Sequence, residues 1–145
     1  MSPDPRRARA WRLLVAALAV HVADEAATGF LDFYNPLVRS MRAQLPWFPA
    51  PTFTFGWWLA GLVLLVVVLA LLSPAVHRGA PGTRFVSWVF CGIMTLNGVG
   101  HLAGSIYFER WLPGATSAPL LLVSSAMLAR ALSLDPQRPQ RPQSA

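Results

Sequence analysis

The chain has 145 residues, enough for one domain, and 54% of them are hydrophobic, above the share usual in a soluble domain. All twelve basic residues are arginines and the net charge is +6. The arginines are scattered through short segments between apolar stretches, with no basic stripe or reading motif, which excludes nucleic acid as a partner. The single cysteine, Cys91, excludes an internal disulfide and reads as a small core residue.

Four apolar stretches approach the length of about 20 residues that a spanning helix needs. The first runs over about 11–30 and is apolar from Leu13 to Val20 before it reaches His21, Asp24 and Glu25. Residues 31–55 follow, with Pro36, Pro46, Pro49 and Pro51 set against one continuous helix. The tryptophan and phenylalanines of this segment suit a membrane–water interface, so it is predicted to lie as an extracytoplasmic cap. The second stretch, about 56–76, carries no charge. A short glycine- and proline-containing link leads to the third, about 85–108, which holds Asn97 and His101. The fourth covers about 114–132, and the polar Pro/Gln/Arg tail 133–145 has the composition of a disordered segment. The expected fold is all-α: an integral-membrane four-helix bundle with a membrane domain over 1–132.

Arginine placement sets the orientation. Arg6, Arg7, Arg9, Arg12, Arg78, Arg84, Arg130, Arg138 and Arg141 fall on one side, and only Arg39, Arg42 and Arg110 on the other. The positive-inside rule then places both termini in the cytoplasm and the chain in the inner (plasma) membrane as a multi-pass protein. A cleavable leader over residues 1 to about 23 is the alternative for the first stretch; intact-mass measurement separates the two.

The chemistry-bearing residues lie inside these stretches. His21 and Glu25 share a helix face, with Asp24 beside them and Thr28 and Asp32 extending the polar stripe. Asn97 and His101 share a face of the third stretch, continued by Ser105. With cytoplasmic termini the first and third spans run in the same direction, and at about 1.5 Å per residue the two pairs reach similar depth and can face each other. An unpaired acid in mid-span costs about 2.5–3.5 kcal/mol on insertion scales, so these groups need pairing, protonation, a metal or a wet cavity. The bland readings are solvated headgroup acids for Asp24 and Glu25, and helix-packing hydrogen bonds for His21, His101 and Asn97. Gly100 and Gly104, in small-xxx-small spacing, predict close approach of another helix.

These residues resemble a family of small bacterial membrane proteins named for an HXXEE motif. The motif reads His21-Val22-Ala23-Asp24-Glu25 here, with aspartate at the first acidic position. Asn97 with His101, and Arg110, Trp111, Pro113, Gly114, Thr116 and Pro119, match the family's later signature. The resemblance implies a four-helix membrane domain and supplies no reaction.

Three functional readings follow. In the first, His21, Glu25, His101, Asp24 and Asn97 form a catalytic site for a lipid-like or apolar small molecule. His21, Glu25 and His101 then either hold zinc or iron with an open position, or exchange protons without a metal, in loose analogy to emopamil-binding-type sterol isomerases. Thr28, Ser105, Arg110 and Ser117 are candidate substrate or gate residues, Arg110 and Glu109 forming either a gate or a surface ion pair. The second reading is a proton- or cation-linked binder or transporter, the third a structural protein without catalysis. The bilayer is the expected partner, and the glycine-rich third stretch admits a homodimer. His77 reads as a solvated loop residue, Tyr107 and Trp111 as interfacial anchors, and no motif activates Ser117 or Thr116 as a nucleophile.

Overall fold

A computed structural model describes residues 5–134. The described residues form five α-helices and no strand: α1 (Pro5–Thr28), α2 (Phe30–Gln44), α3 (Phe55–Arg78), α4 (Thr83–Tyr107) and α5 (Ala118–Ser133). The four expected spans are not matched one for one. α3 and α4 are each long and apolar enough to cross a membrane, and a third span results only if α1 and α2, which meet at a 79° bend, are counted as one broken span. α5, at 16 residues, falls short of the spanning length. Ser133, expected to open the tail, belongs to α5; the rest of the tail lies outside the described residues except for Leu134.

α1 is the central helix, packing against both α3 and α5, while α5 also packs along α4. Its buried positions include Arg7, Trp11, Leu14, Leu18, His21 and Glu25, a stripe at three- and four-residue spacing. Two side-chain donors tie this stripe to α3: the Arg7 guanidinium donates to the Val76 carbonyl at 3.0 Å and the Trp11 indole to the Leu69 carbonyl at 3.1 Å. The neutral indole bond contributes about 0.5–1.5 kcal/mol net and the bond from the charged guanidinium about 1.5–3 kcal/mol. Trp11 also sets its ring edge-on to Phe90 of α4, centroids 5.1 Å apart. Cys91 is buried and its thiol faces the Ser125 carbonyl at 3.2 Å, a packing role.

α1 ends because Gly29 adopts φ 76°, a left-handed conformation that stops the helix and turns the chain into α2. The segment expected as a cap is therefore half helix. Pro36 lies inside α2, and helix gives way at Leu45, before Pro46, Pro49 and Pro51. The extended stretch that follows is fastened back onto α2. Tyr34 donates to the Pro51 carbonyl at 3.0 Å, Arg42 donates to the Ala50 carbonyl, and the Asn35 amide makes a two-way clasp with the Phe53 backbone at 2.9 and 3.0 Å.

Close approach of helices falls at Gly98 rather than at Gly100. A Cβ at Gly98 would meet Leu122 at 2.9 Å and the Ala118 carbonyl at 3.1 Å, whereas nothing lies within 4 Å of one at Gly100. Gly104 faces the Leu112 side chain of the following loop at 2.8 Å.

Candidate functional site: a buried histidine–carboxylate cluster

The core stripe of α1 runs directly into His21 and Glu25, which are 0% and 5% exposed. α1 continues past both to Thr28, so Glu25 is not a solvated headgroup acid. α4 brings Asn97 and His101 against them. Glu25 Oε1 lies 3.1 Å from His101 Nε2 and 3.6 Å from His21 Nε2, and Asn97 Oδ1 lies 3.1 Å from His21 Nε2. The two imidazoles meet edge to face with centroids 4.8 Å apart. One ligand atom from each of His21, Glu25 and His101 lies within 4.8 Å of the others.

α5 supplies the rest of the site. Ser117, the residue before its first turn, donates its hydroxyl to Asp24 Oδ2 at 2.6 Å and its backbone N–H to the same oxygen at 3.0 Å. Asp24 thus caps the positive end of α5. The Ser117 oxygen stands 2.8 Å from His21 Nδ1. Since its own proton goes to Asp24, it accepts from His21 Nδ1–H, and Asp24 acts on His21 through Ser117.

That chain of donors favours a proton on His21 Nδ1. A neutral His21 protonated at Nδ1 presents a lone pair at Nε2. Facing it are Glu25 Oε1 and Asn97 Oδ1, both acceptors, with His101 Nε2 next to Glu25. Convergent acceptors repel unless a cation, either a shared proton or a metal ion, sits among them. Donor atoms bound about 2.0–2.1 Å from a tetrahedral ion lie about 3.3 Å from one another; the two Glu25–histidine spacings, 3.1 and 3.6 Å, bracket that value, while all three atoms lie within 4.8 Å of one another. Two histidines and one glutamate are a set found in catalytic zinc sites that keep an open position.

The remaining candidates lie outside the cluster. The Thr28 hydroxyl donates to the Asp24 carbonyl within α1. Ser105 donates to the His101 carbonyl and accepts from the Leu112 backbone N–H, so it shapes the loop after α4. Arg110 sits over the Phe33 ring at 5.0 Å, and among the described residues no ion pair joins it to Glu109. Asp32 leaves the α1 stripe at the Gly29 bend. His77 is exposed in the last turn of α3, and Tyr107 and Trp111 are 80% and 69% exposed.

Two positions near the centre were not among the sequence candidates. Gly114, at φ 82°, lies where a Cβ would meet His101 Cε1 at 2.7 Å and Glu25 Cγ at 3.0 Å. Phe30, at the start of α2, places its ring 5.8 Å from that of His101.

The Asp24–Ser117–His21 chain carries a prediction. Losing a partner that orients a metal-bound histidine typically costs about 10–100-fold in metal affinity. Asp24→Asn keeps the size but gives up the acceptor charge on Ser117. If the cluster holds a metal, Asp24→Asn is expected to weaken its binding within that range, read by competition with a chromophoric chelator, while His101→Ala costs more.

Among curated proteins and solved structures, none matches this chain. A family model described as a protein of unknown function with HXXEE motif matches residues 12–129, which takes in every member of the cluster. The chain belongs to the HXXEE family.

Proposed function

We propose that the protein is a multi-pass membrane enzyme whose centre, formed by His21, Glu25 and His101, holds zinc or iron and acts on a lipid-like or other apolar small molecule. The observation that carries this reading is the convergence of two imidazoles and a carboxylate on one buried point, with both Glu25–histidine spacings suited to a tetrahedral ion. A metal there would supply Lewis-acid or oxidative chemistry at its open position. The chain's own contribution is to exclude water, to hold His21 in one tautomer through Ser117 and Asp24, and to keep the Glu25 carboxylate between two imidazoles.

The surface supports the membrane part of the proposal. Leu64, Leu71, Leu96 and Val123 are 63%, 74%, 74% and 60% exposed, an apolar exterior that suits lipid. The arginine distribution favours cytoplasmic termini, with the cluster in the outer half of an inner membrane.

A second reading rests on the position of Glu25 within reach of both Nε2 atoms. Without a metal, that carboxylate exchanges a proton with either histidine as a general acid and base. Cobalt(II) titration of the detergent-solubilised, metal-stripped protein separates the two. The metal reading expects one cobalt per chain with the visible absorption of a four- or five-coordinate ion, lost in His101→Ala. A wild type that develops no such absorption rules it out in favour of proton exchange.

A further inference from the structure

Beside the cluster, a cavity of about 310 Å³ opens between the end of α1, the start of α2 and the fastened segment leading into α3. Its volume is at the low end of the range of about 300–1,000 Å³ typical of small-molecule sites. Its lining combines two chemistries. Phe30, Phe53, Phe55 and Trp58 supply four aromatic rings, and Glu25 and Asp32 supply two carboxylates. Phe30 stacks on Trp58 with centroids 5.8 Å apart, and Phe55 lies 5.9 Å from the same indole. Phe53 stacks with Tyr34 at 6.1 Å, and its backbone is clasped by Asn35. The aromatic walls are therefore preset.

The carboxylates differ in state. Glu25 is buried and engaged by His101. Asp32 is exposed, and among the described residues no cation is paired with it. A carboxylate and aromatic rings lining one cavity suit a positive, weakly hydrated guest, because ring quadrupoles attract cations and the apolar walls cover the guest's methyl groups. A hydrated metal ion fits poorly. Rings offer it no ligand, and both amide atoms of Asn35, the other polar side chain of the lining, are already bonded to Phe53.

We infer that this cavity is a binding site for an organic ammonium ion, with Asp32 providing the counter-charge and Phe30, Phe53, Phe55 and Trp58 the aromatic box. The site does not rest on the metal reading, and it is tested on metal-stripped protein. The probes are choline and its neutral isostere 3,3-dimethylbutan-1-ol, titrated calorimetrically into the full chain in a non-ionic detergent. Choline is expected to bind at least about tenfold more tightly than the alcohol, a difference within reach of a cation–π and counter-charge site. Asp32→Asn and Phe53→Leu, both at exposed side chains, are each expected to weaken choline by about tenfold with unchanged melting temperature. Asp32→Glu is expected to restore most of the loss. The inference is overturned if choline does not bind the wild type, if the alcohol binds equally well, or if Asp32→Asn binds choline like the wild type.

Discussion

Gly114→Ala is expected to dismantle the cluster while leaving most of the helical packing in place. Two effects add at this position. A residue with a Cβ costs about 1–2 kcal/mol in the left-handed conformation that Gly114 adopts at φ 82°. The new methyl would also lie 2.7 Å from His101 Cε1, 2.9 Å from His101 Nδ1 and 3.0 Å from Glu25 Cγ. His101 and Glu25 must move apart to admit it, and their 3.1 Å contact is lost. Cobalt affinity is expected to fall by at least about a hundredfold, beyond the effect of losing an outer hydrogen-bond partner. Gly100→Ala is the matched control, since nothing lies within 4 Å of its added methyl. It is expected to bind cobalt as the wild type does. Equal affinities in the two variants would show that Gly114 does not shape the site.

The second large effect is expected at Glu25. Glu25→Gln preserves the volume in a pocket where the residue is only 5% exposed, so the contact between α1 and α4 is retained. It removes the one negative charge held between His21 and His101. A site of two imidazoles with no anionic ligand is expected to bind metal at least about a hundredfold more weakly, again beyond the range for outer partners. Glu25→Ala is expected to lose binding and also melt at a lower temperature, because it opens a void of one methylene and a carboxylate and takes the partner from His101 Nε2. The distinguishing readout is the pair: binding lost in both, melting temperature lowered chiefly in Ala. If Gln melted as low as Ala, the carboxylate's charge would be holding the fold together and the structural reading would account for it.

The residues of the centre were legible in the sequence because their cost is local. Acids and histidines in apolar stretches need partners, and four-residue spacing places each pair on one helix face. What spacing does not encode is which partner each member takes. Asp24 and Glu25 are neighbours, yet a helix turns about 100° per residue. Glu25 faces the histidines, while Asp24 faces the start of α5 and reaches His21 only through Ser117. Gly114 gave no signal beyond its place in the family signature, since its role depends on a positive φ and on two side chains distant in sequence.

The fold was legible in part. The uncharged run of α3 and the apolar run of α4 stand out by length and hydropathy alone. The first stretch was expected to end at about residue 30, and α1 stops at Thr28; the sequence did not show that a new helix starts at Phe30 across the Gly29 bend. A glycine in the left-handed conformation stops a helix outright, whereas a proline inside one removes a single hydrogen bond and bends it. α5 was read four residues too early because Gly114–Ser117 are small and uncharged and run into the apolar stretch without a break. Ser117 instead starts the helix, where its hydroxyl and N–H both meet the Asp24 carboxylate.

The measurement that bears most directly on the central claim is the metal content of the full-length protein, purified in detergent without chelators, by mass spectrometry beside His21→Ala. The metal-centre account predicts close to one zinc or iron per chain in the wild type and none in the variant, with both chains equally helical. A wild type that carries no transition metal, and takes up none from added zinc or ferrous iron, would contradict it.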